Sequence, residues 1–179
     1  MSILKVARMG HPVLRAKAKA LTPGDIKHVV VQQLIDDMID TMIEYHGVGL
    51  AAPQVHEGLR IFVGILDSPT PEGRDDVEPE PIAVINPEIA TIGDEVIEDW
   101  EGCLSIPDIR GRVPRPREIR MRGYTRDGGR LELTLRDFPA RVAQHEADHL
   151  DGILFFDRMK SFDSLTFLEE YSRYHSKDS

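Results

Sequence analysis

His145-Glu146-Ala147-Asp148-His149 is the stretch on which the reading of this chain turns. On a helix, residues four apart share a face, with Cβ atoms about 5–6 Å apart. His145 and His149 can therefore grip one metal ion, with Glu146 beside it. Two imidazoles leave a tetrahedral ion short of ligands, and a catalytic site needs a third protein ligand plus an open position for water. Pro139 suits the first turn of such a helix and Gly152 its end. Taken alone, the run also fits a helix carrying two satisfied histidines and no metal.

Two further stretches bear on that choice. Cys103 is the only cysteine among 179 residues and sits in Glu101-Gly102-Cys103-Leu104-Ser105, a glycine-flanked turn. It is the candidate third ligand; the alternative is a small buried hydrophobe. Gly47-Val48-Gly49-Leu50-Ala51-Ala52-Pro53-Gln54 carries almost no side-chain bulk, so another backbone can approach it closely. Gln54 supplies a neutral amide donor at its end. Gly47 also reads as a helix stop.

In this order the three stretches resemble the peptide deformylases: G-Φ-G-Φ-A-A-x-Q, then E-G-C-Φ-S, then Q-H-E-Φ-D-H, where Φ is hydrophobic. Gly47–Gln54, Glu101–Ser105 and Gln144–His149 supply every fixed position. Gly10-His11-Pro12-Val13-Leu14-Arg15 extends the likeness toward the start. The resemblance implies an α+β fold, with antiparallel sheets packed around a central metal-binding helix. It implies a hydrolase that removes the N-formyl group from the formyl-methionine of nascent polypeptides, releasing formate. Cys103, His145 and His149 would be the metal ligands. Gln54 and the backbone N–H of Leu104 would stabilise the oxyanion.

The resemblance further implies that an extended peptide pairs with backbone at Val48, Gly49 and Gly102. A pocket for methionine would be formed by Val48, Phe138, Val142 and the face of His145. Phe138 and Val142 fit equally well as core residues flanking a helix, and Arg110 fits either the mouth of the site or open surface. The family's metal is generally Fe2+. Cysteine plus two histidines also suits Zn2+, Ni2+ or Co2+, so the ligand set does not decide. Other readings of the motif are a zinc peptidase and an inactive relative that binds formyl peptides. The first normally takes its third ligand downstream, and the second predicts loss of Glu146 or Gln54, both of which are present.

Residue chemistry gives Glu146 a role beyond the family likeness. It stands one residue from His145 and so cannot easily bind the same ion. It can reach water beside that ion and act as general base, then as general acid toward the leaving amine. Asp148 and Glu101 are both candidates to orient a ligand imidazole. Trp100 reads as packing. His11, His28, His46, His56 and His175 show no paired spacing.

Composition sets the outer bounds. One catalytic domain over 1–179 is expected from the length. Hydrophobic content of 41% and charged content of 30% are ordinary for a globular chain. No apolar run nears the roughly 18 residues that span a bilayer. The net charge of −9 speaks against holding DNA by bulk electrostatics. A functional thiolate suits a reducing compartment, so a cytoplasmic location is expected, without a membrane partner. The resemblance raises docking on the ribosome through a basic C-terminal helix. Residues 158–179 balance Arg158, Lys160, Arg173 and Lys177 against Asp163, Glu169, Glu170 and Asp178, which supports it only weakly. Lys5, Arg8, Arg15, Lys17 and Lys19 faintly suggest a transit peptide, but the Gly10–Arg15 match makes that stretch part of the fold.

Apolar spacing predicts one helix over 25–46, opened by Thr22-Pro23-Gly24-Asp25. Asp36, Asp37 and Asp40 read as its solvated face. Strands are predicted at 60–66, 82–89, 95–100, 118–124 and 131–135, with Asp127-Gly128-Gly129 as a hairpin turn. Asp67–Pro81 reads as an exposed acidic loop, and a last helix is expected over about 161–175.

Overall fold

The computed structural model describes residues 2–66 and 80–176. The acidic-loop expectation falls mostly on 67–79, outside the described residues. The first helical stretch is divided in two. α1 (Pro23–Ile26) opens on a capping box in which Asp25 N donates to Thr22 Oγ1 and Thr22 N to Asp25 Oδ2. α2 (Val29–Glu44) starts afresh because His28 is extended and its Nδ1 accepts from Val30 N. Val30, in the first turn of α2, is exposed, while Val31, Ile35, Met38 and Met42 are buried. Asp37 is also buried, accepting from Ser2 N at 2.9 Å, so it does not belong to a solvated face.

α2 ends in paired 6→1 and 5→2 hydrogen bonds, Gly47 N to Met42 O and His46 N to Ile43 O. The left-handed position is His46 (φ +54°), not Gly47. Gly47 is instead held small by Leu104, whose Cδ1 would lie 3.0 Å from an added Cβ.

The strands are β1 (Gly49–Ala51), β2 (Ile61–Gly64), β3 (Ile82–Cys103), β4 (Ile106–Tyr124), β5 (Arg130–Arg136) and, near the end, β6 (Thr166–Phe167). They form one antiparallel sheet in the order β1-β2-β3-β4-β5, with β6 added to β4. The segments expected at 82–89 and 95–100 are one long strand, bent where its register to β4 shifts near Ile85–Glu88 and Ile92–Val96. β4 also covers residues 106–117, where Pro107, Pro114 and Pro116 argue locally against a strand. Pro114 and Pro116 pair opposite Glu98 and Val96, and β5 joins β4 only from Glu118 onward. Two residues apart, the prolines point their missing N–H groups to one side, where β5 is absent.

α3 (Asp137–Leu150) carries the histidines, with Pro139 in its first turn. It ends in the same paired hydrogen bonds as α2, Ile153 N to Asp148 O and Gly152 N to His149 O. Gly152 takes φ +72°, as its expected stop role requires. Ten of the fourteen residues of α3 are buried, which makes it the central helix of an α+β fold. β2 is buried on both faces. Ile61 and Val63 pack with α2 residues, while Phe62 packs with Ala140, Ala143 and Leu150 of α3. α4 is only Leu168–Tyr174, shorter than the helix expected over 161–175, because Thr166 and Phe167 pair with Arg110 and Ile109.

Candidate active site

Three elements converge at the buried end of one cavity. The tight β3–β4 hairpin presents Cys103, α3 presents His145 and Glu146, with His149 one turn further along it, and a 3₁₀ turn at Ala52–Val55 presents Gln54. The N-terminal segment ties the two loops together: Ala7 N donates to Gln54 O and Met9 N to Ser105 O. Leu14, in the Gly10–Arg15 stretch, is buried in the cluster that contains Cys103 and Phe155. That motif braces the cysteine turn from behind.

One donor atom from each of Cys103, His145 and His149 lies within 4.8 Å of the others, and Cys103 Sγ is 3.3 Å from His149 Nε2. A tetrahedral ion with bonds of ~2.3 Å to sulfur and ~2.1 Å to nitrogen separates its ligand atoms by about 3.4–3.6 Å. The Cys103–His149 pair already has this spacing, and the set fits a divalent cation once the remaining pairs, no more than 4.8 Å apart, draw in. Two buried atoms, Glu146 Oε2 and His149 Nδ1, have no partner. An orphaned buried carboxylate oxygen in the cavity that Cys103 and His145 also line points to something held there.

The orienting carboxylate is Glu101. His145 Nδ1 pairs with Glu101 Oε2 at 2.8 Å, which leaves Nε2 for an ion. Glu101 in turn accepts from Arg115 Nε and Nη2 and from Arg141 Nη1. Asp148 does not touch a ligand ring. It accepts from Arg115 and Arg158. Burial would raise the Glu101 carboxyl, but hydrogen bonds from His145 and Arg115 outweigh it and hold the group far below the usual carboxylate range. Burial would lower His145; its contacts with Cys103 and Glu101 prevail and raise it well above an ordinary imidazole. His149 is driven the other way by burial, then by the His145 charge. Glu146 is pushed up to about 7, chiefly by burial, with the charge of His145 opposing.

Gln54 is locked by its own backbone. Ala51 N donates to Gln54 Oε1 at 2.8 Å, so Nε2 faces Cys103 Sγ and Ser105 Oγ. Gly49 is required by closeness, since an added Cβ would stand 2.8 Å from Glu146 Cγ. An added Cβ at Gly102 would overlap the Arg110 guanidinium, whose Nη1 donates to Ile109 O.

Val48, Leu104, Phe138 and Val142 line the same cavity, of about 700 Å³. Phe138 is 56% exposed, so it is not a core residue. Arg110 and Trp100 line the cavity too, the latter with Tyr171 edge-on at 5.0 Å. Trp100 thus packs, as expected, and does so at the cavity wall. Elsewhere, His11 and His56 stack edge-to-face at 4.7 Å, and His28 caps α2.

Sequence reading missed Arg115 and Arg141. Arg141 stands four residues before His145 on the same helix face, a spacing that was available. Arg115 lies in the proline-rich stretch, where no period announces it.

A buried sulfur–nitrogen–nitrogen donor set, a carboxylate and an aimed amide at the end of a cleft are the equipment of a metal-dependent hydrolase. The polypeptide deformylase family pattern matches residues 3–164, and the chain belongs to that family. Peptide deformylase 2 of Nostoc sp. is 43% identical over 176 residues, covering 98% of this chain and 97% of that protein. Among solved structures, a class I type b peptide deformylase of Acinetobacter baumannii with Met-Ala-Ser bound superposes with a TM-score of 0.79 at 38% identity, covering 88% of this chain and 99% of that one. The peptide deformylase of Thermotoga maritima gives 0.79 at 38% identity, covering 90% of this chain and 100% of that one.

Proposed function

We propose that this chain removes the formyl group from the N-terminal formyl-methionine of nascent polypeptides through the site just described, releasing formate and a free amine. The observation that carries the reading is the orphaned Glu146 carboxylate oxygen on a residue that lines, with Cys103 and His145 of the donor cluster, a cavity open to a peptide. We take residues 1–179 to act as a single catalytic domain.

Cys103, His145 and His149 would hold one divalent ion, which supplies Lewis acidity and lowers the pKa of water toward neutrality. Glu146 takes the proton of the attacking water and returns it to the departing amine. A carboxyl raised by burial toward 7 suits both halves of that exchange. Negative charge building on the formyl oxygen meets Gln54 Nε2, which the Ala51 N–H holds in the donating orientation, and the Leu104 N–H. Glu101, fixed by Arg115 and Arg141, keeps the His145 ring turned with Nε2 inward.

The substrate backbone pairs with Val48, Gly49 and Gly102, contacts that read no side chain. The methionine side chain occupies the space between Val48, Phe138, Val142 and His145. The Met-Ala-Ser held by the Acinetobacter baumannii relative is the product expected from formyl-Met-Ala-Ser, which supports this orientation. Fe2+ is the metal proposed in the cell, with Zn2+, Ni2+ or Co2+ able to substitute. A cytoplasmic site of action follows from the need to keep the Cys103 thiol reduced. Encounter with the ribosome is not assigned to the charge-balanced tail.

Formate release from formyl-Met-Ala-Ser by metal-reconstituted protein tests the reading. Formate from the formylated peptide, with no cleavage of its acetylated or free-amine versions, is the expected result. Cleavage of internal bonds without formate would refute it.

A further inference from the structure

We propose that residues 166–171 form an outer wall of the peptide cleft, and that Trp100, Leu168 and Tyr171 receive the third residue of the formylated chain. This rests on the deformylase reading above and extends it outward from the first methionine.

The family pattern ends at residue 164, yet Leu168 and Tyr171 beyond it line the cleft. β6 pairs Thr166 with Arg110, and Arg110 pairs with Gly102. Three strands side by side thus carry α4 from the end of β6 back toward the proposed substrate-pairing strand. Leu168 and Tyr171 are three apart on α4 and so share a face. Both are half-buried, and both line the cavity that holds Cys103 and Glu146. Tyr171 meets Trp100 edge-on, with ring centroids 5.0 Å apart at 65°.

Register sets the distance. Trp100 lies two residues from Gly102 along β3, about 7 Å at ~3.3 Å per residue, and the two share one face of the strand. A peptide whose first residue lies at the Cys103–Glu146 end and pairs at Gly102 reaches Trp100 with its third residue. What waits there is an indole, a phenol ring and an isobutyl group. That surface favours an aromatic or large aliphatic side chain over glycine.

The test compares formyl-Met-Ala-Phe-Ser, formyl-Met-Ala-Gly-Ser and formyl-Met-Ala on the full-length, metal-replete protein. The phenylalanine peptide should exceed the glycine peptide in kcat/KM by roughly three- to ten-fold, carried in KM. Tyr171→Ala should bring that ratio close to one, and Tyr171→Phe should retain it. A second readout separates contact from loosening of α4. Trp100 is the only tryptophan, so its emission in Glu146→Gln protein should shift on saturation with the phenylalanine peptide. Equal kcat/KM for the two tetrapeptides, a ratio untouched by Tyr171→Ala, or unmoved Trp100 emission would each overturn the assignment while leaving the deformylase reading intact. Failure to release formate even from formyl-Met-Ala would overturn both.

Discussion

Replacing Gly49 by alanine places a methyl group where the general base now lies. Gly49 is fixed in β1, paired opposite Gly64, and cannot retreat without breaking the sheet. Its added Cβ would stand 2.8 Å from both Cγ and Cδ of Glu146, whereas ordinary contact begins at 3.4 Å. Clearing those two carbons alone requires a shift of about 0.6 Å, and Glu146 Oε1, which would lie closer still, must move further. Glu146 is 4% exposed and packed within α3, so the shift falls on the carboxylate itself. A misplacement near 1 Å at a reacting group costs on the order of 10²-fold. Gly49→Ala should therefore lower kcat/KM for formyl-Met-Ala-Ser by roughly 10- to 100-fold.

The loss should appear in kcat, with one metal per chain retained by elemental analysis, because Cys103, His145 and His149 are not displaced. Gly64→Ala is the matched control. It lies opposite in the ladder, but an added Cβ there would meet its nearest atom, Val48 O, at 3.5 Å, which is ordinary contact. Its activity should stay within about three-fold of the parent. Full activity in Gly49→Ala would refute the claim that closeness of this backbone positions the base. Equal losses in the two variants would show that the effect is general sheet damage.

Glu146→Ala should keep its metal yet lose turnover by about 10²–10⁴-fold in formate release, and metal loss as the cause would contradict the assigned role. Burial raises the Glu146 carboxyl to about 7 without an ion, and a nearby cation draws it lower. The base must be ionised, so kcat/KM should fall on an acid limb below 7; a profile flat from pH 7 to 5 would argue against it. His145 is raised, so its proton must leave when an ion binds, and apparent metal affinity should weaken as pH falls in competition titrations. Cys103→Ser should weaken the metal or change its identity, because a hard hydroxyl replaces a soft thiolate. Iron-loaded protein should lose activity in air while nickel- or cobalt-loaded protein keeps turning over; equal stability would count against iron–thiolate chemistry as the weak point.

Local residue patterns revealed the site more fully than the fold. The His145–His149 spacing, the small residues before Gln54 and the glycine beside Cys103 each record a contact made within a few residues, and periodicity and bulk expose such contacts. The extent of β3 and β4 was hidden. Gly93 and the prolines of 107–116 are punctuation in a sequence, but across a ladder they are tolerated at bulges and at an edge that meets no partner. The break before α2 was hidden as well, because His28 can cap a helix while the apolar spacing runs straight through it. Arg115 and Tyr171 reach the site only through pairings between strands distant in the chain. No short window of sequence records them.

The buried charges follow from that long-range assembly. Glu101 meets Arg115, Arg141 and His145 together, while Asp148 balances Arg115 from the other side and reaches Arg158 at its rim. Removing one partner of such a group strands the others without water, which typically costs about 3–5 kcal/mol. The same geometry gives the network a use beyond stability. A carboxylate held from two directions by guanidinium groups cannot swing, so the imidazole hydrogen-bonded to it cannot turn. A ring that cannot turn presents one nitrogen to the cleft whether or not an ion is present. The site is thus prepared before the metal arrives, and the cost of ordering its ligand falls on folding rather than on binding. That division explains why ion pairs of little expected net worth are concentrated directly behind His145.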